Sequence, residues 1–215
     1  MLTRLIAVLL FCLCTILAAP PAIEGAHRLE RDLGQGLSYH RIHELPADLP
    51  TGSGAPLQPS VVDVRYVSAS PAAATAFVAW LNFRATTRAP IFILVNGETD
   101  RALLASLHRH APEAGILVIG RVAGGFQPDI VVPGSAEDER RSYDAFESGT
   151  AVAALLADNP DKVRHDEANI GKERRGEAEG DSSTAAAKER ARPPVDAALQ
   201  RAVQVHRALL ALKKI

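Results

Sequence analysis

The sequence predicts an α/β domain built on a mostly parallel sheet with crossover helices, closed by a C-terminal amphipathic helix. Three observations carry that expectation. The runs Val61–Val67, Ile91–Val95 and Ile116–Ile119 are short, apolar and β-branched, as strands buried on both faces are. The segments between them repeat apolar residues at three- and four-residue steps, which is helical spacing. Strands and helices alternating in this way favour parallel pairing with right-handed crossovers.

Taken in order, residues 26–36 are charged and glycine-containing and read as a flexible lead into the domain. Leu37–Leu45 alternates loosely and stops at Pro46, which suits a strand at the sheet margin. Pro50, Gly52, Gly54, Pro56 and Pro59 then mark a turn-rich stretch. After Val61–Val67, Ser70-Pro71 offers an N-cap followed by proline at the first helical position, and Ala73, Phe77, Trp80, Leu81 and Arg84 share one face of the helix. Beyond Ile91–Val95, Thr99 is positioned to cap a helix whose Leu103, Leu104 and Leu107 form a stripe before Pro112. Ile116–Ile119 and the shorter Ile130–Val132 complete the strands. Ser135 to Asp138 resembles a capping box, ahead of Tyr143 and Phe146 at helical spacing, and Ala151–Ala157 continues in helical composition.

The core is thus expected over 37–157, with a charged linker over 158–194. Within that linker Gly171–Arg192 has alanine as its only aliphatic residue and cannot bury enough surface to offset its ordering entropy. A helix over 195–213 follows, with Val195, Leu199, Ala202, Val203, His206, Leu209 and Leu210 on one face. That face needs a cover, either the domain's own sheet or a partner protein.

Composition narrows the function classes. The 215 residues are 47% hydrophobic and only 5% aromatic, so the core is aliphatic. A formal net charge of −1 supplies no basic field for nucleic acid or an anionic membrane. At the start of the chain, Met1 to Arg4 followed by the apolar run Leu5–Ala19 reads as a secretory signal within 1–26, cleaved between about Ala18 and Ala26. The alternative is an uncleaved anchor, but the run falls short of the ~20 residues that span a bilayer. Export to a periplasmic or extracellular location is therefore expected, with no stable membrane insertion after cleavage. Both cysteines, Cys12 and Cys14, fall in that segment, which leaves the mature chain no internal disulfide.

Three stretches, in order, resemble the tail-specific, or C-terminal processing, serine peptidases. Val61-Val62-Asp63-Val64-Arg65 is similar to that family's strand ending in Asp-Leu-Arg. Ile93-Leu94-Val95-Asn96-Gly97-Glu98-Thr99 resembles the strand leading to its Thr-Ala-Ser nucleophile turn, and Ile116–Gly120 with Gly124 and Pro128-Asp129-Ile130 resembles the segment that delivers its lysine. Leu37–Ile42 and Asp196–Leu212 are similar to its opening strand and closing helix. The resemblance implies a crotonase-like fold.

It also locates what the chain lacks. The family's chemistry needs a serine activated by a neutral lysine, with backbone N–H groups to hold the oxyanion. Aligning Thr99 with the motif threonine puts Arg101 at the nucleophile position and Gly125, or Phe126 one residue on, at the lysine position. The first lysine of the chain is Lys162, and Val67-Ser68-Ala69-Ser70 stands where the family has a glycine turn. No catalytic residue is assigned. The expected function is binding of a protein or peptide, or an accessory role, without catalysis. The competing expectation is a serine hydrolase with relocated residues, Ser68 or Ser70 acting with His40 or His43.

Other clusters have simpler readings. His40 and His43 are three apart on an expected strand, so they face opposite ways and read as margin histidines rather than metal ligands. His108 and His110 sit at a helix end, where the negative terminus favours them, and Ser106 is their neighbour in sequence alone. His165-Asp166-Glu167 has no second ligand cluster to complete a metal site. His206 lies in an apolar stripe and reads as a hydrogen-bonded core histidine. Gly120-Arg121-Val122-Ala123-Gly124-Gly125 lacks the lysine and hydroxyl of a phosphate loop and reads as a turn between strands. No cofactor and no metal are expected.

Overall fold

The computed structural model describes residues 29–50, 57–108, 114–156 and 194–215. The expected signal segment, and the linker except for Pro194, lie outside the described residues, as do His110, Lys162 and His165.

Among the described residues six strands form one sheet in strictly sequential order: β1 (Leu29–Asp32), β2 (Ser38–Arg41), β3 (Ser60–Asp63), β4 (Ile91–Val95), β5 (Ile116–Gly120) and β6 (Ile130–Val131). The β1–β2 pair is antiparallel and every other pair is parallel. Among the described residues the helices are α1 (Pro71–Arg84), α2 (Arg101–Leu107), α3 (Ala136–Glu147), α4 (Val152–Leu155) and α5 (Ala197–Ala211). The mostly parallel α/β sheet expected from the sequence is present.

Alternation along β4 explains why its run is apolar throughout. Ile91, Ile93 and Val95 enter a core under α1 and α2 with Phe77, Leu81, Leu103 and Leu107. Phe92 and Leu94 point the other way, into a core with Phe146, Leu199 and Val203 of α3 and α5. Successive strand side chains take opposite faces, so a strand covered on both sides must be apolar at every position. The two crossover helices α1 and α2 lie on the same face, which sequential strand order requires of crossovers of one hand. The face of α5 is covered by the domain's own sheet, with Ala198, Leu199, Ala202 and Val203 buried. Val195, by contrast, precedes the helix and is exposed.

Several boundaries differ from expectation. Residues 29–32 are strand rather than flexible lead, because the chain reverses through Gly34, Gln35 and Gly36 at φ of 82°, 55° and 75° and pairs β1 with β2. Glycine takes such angles at little cost. β2 is consequently the second strand of the sheet and not its margin, and it ends at Arg41. β3 stops at Asp63, since the chain turns at Arg65 and Tyr66, the latter at φ 63°. Ser70 caps α1 as expected, accepting from the Ala73 amide, and Ser135 caps α3, accepting from the Asp138 amide. The cap of α2 is Asp100 and not Thr99: the Asp100 carboxylate accepts from the Ala102 amide, while Thr99 is engaged elsewhere. Of the stretch Ala151–Ala157, Val152–Leu155 forms the single turn α4, and Ala157 lies outside the described residues.

Candidate functional site

The carboxyl ends of β3, β4 and β5 lie side by side. Asn96 and Thr99 shape this edge. The Thr99 hydroxyl accepts from the Asn96 amide at 3.0 Å and lies 3.2 Å from both the Val64 carbonyl and Asn96 Oδ1. The Asp100 amide donates to the Val67 carbonyl at 3.0 Å, which seats the start of α2 against the chain leaving β3. Arg101, the next residue, is exposed, and it forms no ion pair among the described residues.

On the neighbouring strand, a Cβ at Gly120 would stand 2.0 Å from the Val95 carbonyl oxygen, so only glycine lets β5 finish against β4. The chain then closes a tight turn in which Ala123 and Phe126 exchange backbone hydrogen bonds of 3.1 and 2.7 Å. Gly124 and Gly125 occupy its centre at φ of 52° and 86°, the positive pair that a type I′ turn demands. This is the turn expected from the sequence.

Between that turn and α2 lies an open cleft of about 400 Å³. Arg101, Gly97 and His108 line one side, Gly124, Gly125 and Phe126 the other, and Leu104 and Ala123 add apolar surface. The structure therefore brings Arg101 together with Gly125 and Phe126. His108, the C-cap of α2, faces the Phe126 ring edge-on at 6.3 Å. Ser106 is not part of the cleft; its hydroxyl donates to the Ala102 carbonyl within the helix.

The relocated serine and histidine pairs are not brought together. Among the described residues no hydrogen bond joins Ser68 or Ser70 to either histidine, and Ser70 is spent on capping α1. His40 is buried rather than marginal, because β1 covers its strand; its Nε2 lies 3.0 Å from the Ser38 hydroxyl and its Nδ1 3.7 Å from Glu30. His43 lies beyond β2, 3.6 Å from Glu147. His206 is the core histidine expected, 3.1 Å from the Gln35 carbonyl and edge-on to Phe92.

No family model matches the sequence, and no curated protein or solved structure is significantly similar to it.

Sequence reasoning missed a buried ionic cluster at the end of β3. Arg65 is fully buried and bonds Asp63 at 2.6 and 2.9 Å and Asp196, the N-cap of α5, at 2.8 and 3.2 Å. Tyr39 donates to Asp63 at 2.7 Å. Arg41, also fully buried, reaches Glu147 and sits 3.7 Å above the Tyr143 ring. Burial raises the Asp63 carboxyl, but Arg65, its hydrogen bonds and Arg41 outweigh it and hold Asp63 below the usual range. Glu139 fares differently. Burial pushes its pKa up to about 7, against the pull of Arg65 and Arg121 and helped by Asp196 and Asp63. The signal available in sequence was charge inside an apolar run, Asp63 and Arg65 in VVDVRYV, since buried charges must be paired.

Proposed function

We propose that this chain is an exported, non-catalytic domain of a degenerate peptidase-like, crotonase-type fold. In this reading it binds a protein or peptide ligand through the cleft beside Arg101. The observation that carries it is the placing of Arg101, without an ion pair among the described residues, in the same cleft as Gly125 and Phe126. The positions where the resemblance would put nucleophile and base hold a permanent cation and a turn glycine.

That substitution changes what the cleft can do. A guanidinium stays protonated at any working pH and cannot act as base, but it grips a carboxylate with two parallel hydrogen bonds. A chain-terminal carboxylate is the ligand group best matched to it. Leu104, Ala123 and Phe126 supply apolar surface for an adjoining side chain. The reading of export rests on the apolar run after Arg4.

The experiment assays wild type, Arg101→Ser, and Arg101→Ser with Gly125→Lys for turnover of unfolded proteins. All three are expected to be inactive, because catalytic groups act as a unit and a serine gains little without its base and oxyanion donors. Turnover by wild type that survives repurification would defeat the proposal.

The hydrolase reading has one contact in its favour, the 3.0 Å approach of Ser38 to His40 with Glu30 beyond. Neither residue lines the Arg101 cleft. A fluorophosphonate probe separates the two readings: stoichiometric labelling lost in Ser38→Ala would favour the hydrolase.

A further inference from the structure

Glu139 stands where the buried ionic cluster meets the chain that walls the cleft. Gly120 and Arg121 line a small cavity of about 40 Å³ together with Glu139, Ser142 and Asp196. Two residues further on, Ala123 to Phe126 form one wall of the Arg101 cleft. Arg121 is the link between the two, with its Nη1 3.8 Å from Glu139. It makes no other ion pair among the described residues.

The charges that face Glu139 come from each element around it. Arg65, just past β3, approaches to 3.9 Å but is already gripped by Asp63 and Asp196 through four hydrogen bonds. Asp63 of β3 and Asp196 at the head of α5 are like charges that oppose its ionisation. Tyr66 feels the Glu139 charge from the turn after β3, and its own neighbours include Arg140 of α3. On the same helix Asp138 also lines the small cavity, with its carboxylate held by Ser135 and Arg141. Arg121 is therefore the cation with both the reach and the unspent charge to respond when Glu139 ionises.

The geometry points to Glu139 as a proton-controlled latch on residues 121–126: ionised, it tethers Arg121 and steadies the cleft wall; protonated, it releases both. The buried setting that raises Glu139 to about 7 puts this change of charge in the neutral range. The tether is local, and the latch needs no ligand in the cleft. Its failure would leave the carboxylate reading standing, and failure of that reading would leave the latch standing.

The test is amide exchange of residues 121–126 in the full chain between about pH 6 and about pH 8, corrected for the intrinsic pH dependence of exchange. Protection in wild type is expected to rise about two- to fivefold through the neutral range, in keeping with a partly exposed ion pair. Glu139→Gln and Arg121→Gln are both expected to abolish the rise. Should Glu139→Gln fail to fold, the half-exposed Arg121 provides the second variant, in which Glu139 still titrates but holds nothing. Protection in wild type that does not change with pH, or an equal rise in Arg121→Gln, would overturn the latch. So would a Glu139 carboxyl resonance that reports a single charge state across the range.

Discussion

Arg65 and Asp196, 131 residues apart, face each other through two hydrogen bonds of 2.8 and 3.2 Å with both side chains buried. The same Asp196 carboxylate caps α5 by accepting from the Leu199 amide at 3.0 Å. One side chain thus fixes where the last helix begins and helps hold the Arg65 guanidinium just past β3. Removing it leaves the buried Arg65 with one carboxylate partner fewer, and breaking a buried pair costs far more than the pair's net worth.

Asp63 still holds Arg65 in Asp196→Ala, so the variant is expected to destabilise the domain by about 2–4 kcal/mol, below the cost of a wholly orphaned buried charge, with the lost cap contributing about 1 kcal/mol of it. Asp196→Asn keeps an acceptor for the Leu199 amide and is expected to cost less. Urea denaturation of the two variants measures the difference, and equal losses would show that the lost charge rather than the cap matters.

Glu139 gives a pH dependence of defined sign. Its folded pKa of about 7 lies above the ordinary carboxyl value, so the folded state holds this proton more tightly than the unfolded chain does. Stability from this group is present at low pH and is lost as pH rises from the ordinary carboxyl range through 7. Glu139→Gln is expected to be near neutral at about pH 4 and stabilising by roughly 1–3 kcal/mol at about pH 8. Denaturation midpoints at the two pH values check it; a variant equally destabilised at both would contradict the assignment.

The two glycine environments along β5 and its turn predict opposite tolerance. Gly120→Ala forces a methyl to within 2.0 Å of the Val95 carbonyl oxygen, a contact with backbone that cannot swing aside. A loss of about 1–3 kcal/mol or more is expected. Gly124→Ala meets open space and bears only the cost of its φ of 52°, about 1 kcal/mol. Thermal unfolding of both variants gives the ranking.

The sequence displayed what local pattern decides. β4 and β5 are apolar because both faces are covered, and α1 announces itself with Ser70-Pro71. It concealed what distant contacts decide. Leu29–Asp32 carries three charges in four residues, and its strand exists only because the Gly34–Gly36 reversal lays it on β2. Thr99 and Asp100 are both good caps. The choice falls to Asp100 because the Thr99 hydroxyl is held beside the Val64 carbonyl, 35 residues earlier. Arg101 and Gly125 could be named from the resemblance. That they share a cleft depends on the parallel register of β4 and β5, which no local pattern encodes. Glu139, in a run of exposed acids and arginines, gave no sign of its burial.

The central claim is that the Arg101 cleft recognises a carboxylate instead of cutting a chain. It is tested most directly by calorimetric titration of one apolar-ended peptide, as free acid and as C-terminal amide, into wild type and Arg101→Ala. The free acid is expected to bind wild type at least about tenfold more tightly than the amide, as loss of a charge-assisted hydrogen-bonded pair implies. In Arg101→Ala that preference should disappear. Equal binding of acid and amide by wild type, or a preference for the acid that survives in Arg101→Ala, would contradict it.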